Sequence, residues 1–193
     1  MLIRMAEEKD AAALLSIYAY YVEHTAVTFE YRVPSLEEFK SRMRRVKERY
    51  PYLAAEEDGE IVGYAYVSLF KDRAAYEWAV ETTVYVKQEQ RARGIGKKLY
   101  LALEEILKVQ HIINLNACIA YPNPDSICFH ERMGYKMAAH FTKCGYKQGE
   151  WYDMVWMEKM LGGHPEKPEP VIGIEEITDD VLADIMGRNG WTE

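Results

Sequence analysis

The apolar residues of this chain switch repeatedly between a two-residue and a roughly four-residue period. "LIRMA" alternates and predicts a short strand; Ala12, Leu15, Ile17, Tyr18 and Tyr21 then recur at near-helical spacing, predicting a helix from about Glu7 to Glu23. A second helix follows in "VPSLEEFKSRMRRVKERY", where Ser35 and Glu38 stand at capping-box spacing after Pro34. "YLAAEEDGEIVGYAYVSLF" is two apolar runs around Asp58-Gly59, a dipeptide that accepts the positive φ of a tight turn, so an antiparallel hairpin is expected. "WAVETTVYV" is β-branched and aromatic and reads as a strand. Ile95, Leu99, Leu103, Ile106 and Leu107 mark one face of the helix after it. "IINLNACIA" predicts another strand, "PDSICFHERM" a short helix, and "GYKMAAHF" and "EWYDMVWMEKM" two final strands. The sum is an α/β chain with a single mixed sheet over residues 1–161. From Gly162 the glycine-, proline- and acid-rich stretch 162–193 reads as a tail, with a short helix near Asp179 to Met186.

Length and composition narrow the function. At 193 residues and 49% apolar content, the chain can bury one full core. A net charge of −7 argues against general nucleic-acid binding, which needs a positive surface. Cys118, Cys128 and Cys144 are odd in number and lack CxxC spacing, so reduced core thiols are expected rather than a disulfide framework or a metal site. The N-terminus places acids where a signal peptide needs an apolar run, and no stretch reaches about 18 uninterrupted apolar residues. A cytoplasmic protein without membrane contact is expected.

Against that acidic background, "VYVKQEQRARGIGKKLY" concentrates Arg91, Arg93, Lys97 and Lys98 around Gly94-x-Gly96. Glycines let the main chain approach a ligand closely, and the unpaired N–H groups at the following helix start converge with a favourable dipole. That is a receptor for an anion, a phosphate or pyrophosphate by preference. Taken alone, the segment fits an ordinary glycine turn with a solvated basic rim better. It is no Walker A loop, because "GIGKKL" lacks both the spacing and the magnesium-binding hydroxyl; nor is it a dinucleotide fingerprint, because Leu99 stands where a small residue is needed.

The pattern Arg91-x-x-Gly94-x-Gly96 directly after a strand resembles the coenzyme A pyrophosphate loop of the GCN5-related N-acetyltransferases. "NPDSICFHERMGY" matches that superfamily's next loop and helix in the right order. "ERYPYLAAEEDGEIVGYAY", "YEWAVETTVYV" and "GYKQGEWYDMVWM" narrow the resemblance to the phosphinothricin acetyltransferase family, over roughly Ile3 to Met160. Asp72, where relatives carry a small residue, and Gln148, where the "GYKHG" version of the late motif has histidine, depart from it. The resemblance implies the acyl-CoA N-acyltransferase fold, a mostly antiparallel central sheet flanked by helices. It implies acetyl-CoA as donor, the amine of a small amino-acid-like molecule as acceptor, no metal, and a homodimer with the late strands near its interface. The runner-up acceptors are methionine sulfone, methionine sulfoximine or another small amine. A coenzyme-binding module without turnover is the rival from a different class, and nucleic-acid binding through the basic turn is the weakest.

Acetylating an amine requires removal of the ammonium proton. The resemblance gives that task to Glu81, which shares a strand face with Thr83 and Tyr85. Without it, Glu81 is a solvent-facing acid near a strand end. His130 occupies the position of the family's proton-transferring residue, and its imidazole suits either direction of transfer; otherwise it is a helix histidine whose ring is simply packed or solvated, the reading preferred for His24, His111, His140 and His164. Val84, Tyr85 and Val86 are implied to present main-chain groups to the pantetheine arm and the thioester oxygen. Arg91, Ala92, Arg93, Gly94, Ile95, Gly96 and Lys97 are implied to hold the pyrophosphate, with Asn123 and Ser126 contacting the coenzyme from the next loop. For the acceptor, Lys71 and Arg73 are candidate partners of an acidic group, with Phe29, Tyr76 and Tyr85 as walls; the alternative is a loop of solvated charges. Trp151, Tyr152, Trp156 and Tyr146 are expected in the core or a dimer face, and Met154, Met157 and Met160 in packing.

Overall fold

A computed structural model describes residues 1–190. The strands are β1 (Leu2–Met5), β2 (Tyr52–Glu57), β3 (Glu60–Leu69), β4 (Ala79–Val86), β5 (Asn114–Tyr121), β6 (Lys136–Lys147) and β7 (Glu150–Met160). The helices are α1 (Ala11–His24), α2 (Leu36–Lys47), α3 (Ile95–Val109), α4 (Pro124–Arg132) and α5 (Asp179–Asn189). One sheet takes the order β1-β2-β3-β4-β5-β7-β6, antiparallel throughout except where β4 meets β5.

The expected elements form, with boundaries moved by identifiable side chains. The hairpin between β2 and β3 turns at Asp58 (φ 52°) and Gly59 (φ 78°). Helix α1 begins at Ala11 and not near Glu7, because the Asp10 carboxylate accepts the Glu7 N–H at 2.7 Å and pairs with Arg4. Ser35 caps α2 by accepting the Glu38 N–H at 3.2 Å, while the Glu38 carboxylate turns to Arg42. Strand β6 continues past Phe141 to Lys147, because β7 supplies partners across a register break between Phe141 and Gly145.

Alternation divides the sheet into two apolar faces. Val80 of β4, Leu115, Ala117 and Ile119 of β5, and Val155 and Met157 of β7 form the larger core with α3 and α5. Tyr52, Ala54, Ile61 and Tyr64 form the smaller one beneath α1 and α2. Tyr18, Tyr21, Tyr64, Tyr66 and Tyr85 extend it as a cluster of rings, Tyr52 and Tyr66 stacked at 4.7 Å.

The segment after Gly162 is docked along much of its length instead of trailing in solvent. Ile174, Ile177, Leu182 and Ile185 are buried in the larger core. The Gln110 side chain, itself buried, donates to the carbonyls of Arg49 and Ile172 at 2.8 and 2.9 Å, and Trp78 Nε1 donates to the Glu169 carbonyl at 2.8 Å. Its polar composition concealed a sparse set of anchors. The cysteines are free but not core residues: Cys118 and Cys144 are exposed and Cys128 half-buried. Among the described residues no helix is long and apolar enough to cross a membrane. Leu182→Ala is expected to lower the unfolding free energy by about 2–4 kcal/mol in denaturant titration; an unchanged midpoint would show that the docked segment adds nothing to the fold.

Candidate active site

Strand β4 has two unequal edges. Against β3 it is paired from Val80 to Val86. Against β5 it is paired only over Ala79–Glu81, and both strands then run on, to Val86 and Tyr121, without further pairing. The direction of the main-chain groups follows from alternation. The Trp78 carbonyl accepts from Ile113 and Asn114 on the β5 side, whereas the Lys87 N–H donates to Val62 on the β3 side, each at 2.9 Å. Groups of successive residues point oppositely across a strand, so Thr82, Val84 and Val86 direct theirs into the gap. The Tyr21 hydroxyl donates to the Val86 carbonyl there.

The same alternation corrects the expectation for Tyr85. Its main chain faces Tyr64 on β3, and its ring lies 5.1 to 5.5 Å from those of Tyr18, Tyr21 and Tyr64. Tyr85 thus closes the aromatic cluster, and its main chain does not line the gap.

At the end of β4 the glycine turn is built as an anion seat. Ala92 (φ 60°) and Gly94 (φ 82°) take left-handed conformations, and Gly94 caps α3. The first bond back along the helix is from the Lys98 N–H to the Gly94 carbonyl at 3.1 Å, which leaves the N–H groups of 94–97 without intrahelical partners. A Cβ on Gly96 would lie 3.6 Å from Phe129 and 3.7 Å from Val84, ordinary contacts. The protein itself therefore leaves room for a Cβ there. Ile95 is buried and anchors the turn; Arg91, Arg93 and Lys97 are exposed. Arg93 pairs with Glu57 at 2.8 Å, and Arg91 reaches Asp125, in the first turn of α4, at 3.3 Å.

The second lip of the gap is α4. The Asn123 side-chain oxygen accepts the Ser126 N–H at 3.2 Å, so both residues are first of all the start of that helix. His130, only 5% exposed, donates from Nδ1 to the Ser126 carbonyl at 2.8 Å, and its Nε2 lies 3.2 Å from the Tyr100 hydroxyl. Burial pushes the imidazole below its ordinary pKa, with the Ser126 carbonyl opposing the shift. His130 is therefore neutral, and Tyr100 donates to Nε2. Nearby, the Thr82 hydroxyl lies 3.2 Å from that of Tyr135.

Glu81 sits on the opposite face of β4, at the last residue pair before the strands separate, across from Asn116. Burial raises its carboxyl pKa and Lys71 pulls the other way. The Lys71 ammonium lies 5.0 Å from the Phe70 ring and 5.6 Å from that of Trp156. The structure thus puts Glu81 within electrostatic reach of Lys71 and His130 on the far side of the sheet. Arg73 and Tyr76 are exposed on the connecting turn, Tyr76 packing on Phe70. Phe29 packs on Gly145 and Tyr152. Of the late aromatics, Trp156 lines the Lys71 side of the site, whereas Tyr146 and Trp151 are exposed. Sequence reading missed Tyr100 and Trp156 as site residues. Tyr100 lies outside the helix face that the apolar spacing marks, and Trp156 was expected in the core or a dimer face.

An edge of unpaired main chain, an N–H cluster at a helix start and a half-buried carboxylate where the two strands diverge together fit a long carrier with a diphosphate at one end and a reactive acyl group at the other. A family model described as an acetyltransferase (GNAT) domain matches residues 3–156. The chain belongs to the GNAT acetyltransferase family. It is an acetyl-CoA-dependent N-acetyltransferase. Phosphinothricin N-acetyltransferase from Streptomyces viridochromogenes is 34% identical over 91% of this chain and 95% of its own length. L-methionine sulfoximine/L-methionine sulfone acetyltransferase from Salmonella typhimurium is 31% identical over 85% and 96%. The crystal structure of a GNAT superfamily phosphinothricin acetyltransferase from Sinorhizobium meliloti in complex with AcCoA superposes with a TM-score of 0.84 at 32% identity, covering 88% of this chain and 94% of that one.

Within this GNAT site, Gly96→Ala, whose Cβ makes only ordinary contacts, is expected to weaken coenzyme A binding at least ~tenfold by titration calorimetry, with the melting temperature not lowered. Equal affinity would mean that the helix start is not the anion seat.

Proposed function

We propose that this GNAT enzyme acetylates the α-amino group of a small amino-acid analogue with a compact polar head, of the phosphinothricin or methionine sulfone and sulfoximine type. The reading rests on one placement: Glu81 stands at the last paired position of β4 before the gap, its carboxyl raised in pKa by burial while the charge of Lys71 opposes the shift. A carboxylate of raised pKa accepts a proton near neutral pH, and the cation offers an anchor to an acidic group on the acceptor.

In this reading both substrates are bound together. Glu81, through a water molecule, takes the ammonium proton; the freed nitrogen attacks the thioester carbonyl carbon, a C–N bond forms, and the C–S bond breaks. Gap-facing N–H groups at Val84 or Val86 stabilise the oxygen that becomes negative. The thiolate leaves and takes a proton from water, as the proton held by Glu81 returns to solvent; His130, neutral, holds the Tyr100 hydroxyl in place on the α3 side. Arg91, Arg93 and Lys97 bind the diphosphate, and Asn123 and Ser126 act mainly by fixing the start of α4. Phe29 and Tyr76 wall the acceptor, with Arg73 at its entrance.

Glu81→Gln is expected to lower kcat by about 10²-fold or more at pH 7 and to abolish the acid limb of the kcat/KM profile. The same change should raise stability. The folded pKa of Glu81 lies above the ordinary 4.5, so the cost of ionising it is absent below that value and appears as pH rises through the folded pKa. The variant should melt higher than wild type at pH 7 and alike at pH 3. Unchanged turnover across the pH range removes Glu81 as the base, and coenzyme A binding without thiol release on any amine removes the reading itself.

We also propose a homodimer through the β6 and β7 edge. Phe141, Tyr146 and Trp151 are exposed there, Trp151 at 61%, and a second copy would cover them. Sedimentation at micromolar concentration should give twice the chain mass, and Trp151→Glu should halve it; a monomeric wild type excludes this face.

A further inference from the structure

The most deeply buried ammonium in the described structure is Lys147, near the end of β6. It is 2% exposed, and its Nζ donates to two carbonyls, Val22 in the last turn of α1 and Thr28 in the connection to α2, each at 2.7 Å. Val22 is one of the helix-end carbonyls that lack an intrahelical donor, and a cation there also meets the negative end of the helix dipole. Other contacts converge on the same two segments. The Gln148 amide donates to the Glu23 carbonyl at 3.1 Å, and the Tyr31 hydroxyl donates to the Tyr146 carbonyl. The Phe29 ring fills the space above Gly145 so completely that a Cβ on Gly145 would overlap it. Glu30, the nearest carboxylate, is paired with Arg42 of α2.

We propose that Lys147 is a positioning residue: it pins the connection between α1 and α2 to the β6–β7 hairpin and thereby fixes Phe29 on the acceptor side of the site. The assignment rests on the acetyl-transfer reading above. A surface lysine pair would contribute little, but an ammonium desolvated among carbonyls leaves those acceptors unpaired when removed, and each unpaired buried group carries a penalty. The connection is then expected to loosen while the coenzyme seat, built from β4 and the start of α3, stays intact. Gln148 belongs to the same fastening, since its amide holds the end of α1; its replacement of histidine in the late motif alters this joint and not the floor of the pocket.

Lys147→Met keeps the length of the side chain and removes the donors. With the amine that wild type uses best among L-phosphinothricin, L-methionine sulfone and L-methionine sulfoximine, the acceptor KM should rise about tenfold or more while the acetyl-CoA KM stays within about twofold. Hydrogen exchange should quicken over residues 25–31 and not over 95–107. Gly145→Ala, which displaces Phe29 with Lys147 intact, should raise the acceptor KM in the same way and decides the matter if Lys147→Met fails to fold. An unchanged acceptor KM in either folded variant, or equal rises for both substrates, overturns the assignment. Wild type that releases no thiol with any of the three amines overturns the acetyl-transfer reading instead, and faster exchange confined to 25–31 then judges Lys147.

Discussion

Main-chain groups in a sheet must find partners, and the sheet of this enzyme is built so that one row of them lacks a neighbouring strand, with the Val86 carbonyl taken up by the Tyr21 hydroxyl. After Glu81 and Asn116 the ladder between β4 and β5 stops while both strands continue. The interior of a seven-stranded sheet thus contains an edge, with Thr82, Val84 and Val86 facing it. An extended ligand with its own amides can complete that edge as an added strand would, which is how main-chain pairing gives affinity without side-chain chemistry. The proposed seat for the diphosphate lies where the chain leaves β4, because a strand that ends beside such a gap delivers the next helix start, with its unpaired N–H groups, to the mouth of the gap.

The same strand keeps the chemical groups apart. Adjacent residues of β4 project to opposite faces, so Glu81 stands with Lys71 and Trp156, while Thr82 stands with Tyr135 on the face where Tyr100 and His130 meet. A base for the incoming amine and a polar group for the outgoing sulfur are needed on different sides of the reacting carbon, and the pleat provides the separation. The environments also push the two titrating groups to usable forms: burial raises the carboxyl of Glu81 and lowers the imidazole of His130. The first shift makes Glu81 the stronger base, and the second keeps His130 uncharged.

What was legible in the sequence was whatever depends on neighbours along the chain. Asp58-Gly59 and Gly94 declare positive φ, the apolar spacing of α3 declares its buried face, and Ser35 declares a helix start. Residues whose role depends on a distant partner were illegible. Lys147 reads as a charge in a polar turn, yet it is buried by carbonyls more than a hundred positions away. The docked C-terminal segment reads as a linker because four aliphatic residues among acids and prolines carry its attachment. Tyr85 was placed on the right strand and the right face, and only the direction of its main chain, which alternation measured from Trp78 and Lys87 supplies, separates it from Val84 and Val86.

The proposed role of the basic turn would let an acidic protein bind an anion without a basic surface. Arg93 rests on Glu57 and Arg91 on Asp125, and these side chains are largely exposed, where an ion pair contributes no more than about 1 kcal/mol. Such partners hold the guanidinium groups near the helix start at little cost and release them readily to a doubly charged oxyanion, which accepts bidentate hydrogen bonds of roughly twice the strength. The main chain contributes the rest, since N–H groups fixed by the fold lose no side-chain entropy on binding. Specificity for a diphosphate over a bulk polyanion then follows from shape. The seat is a single helix turn wide and opens onto the gap, so a polyanion finds one contact where the carrier finds a path that leads to Glu81.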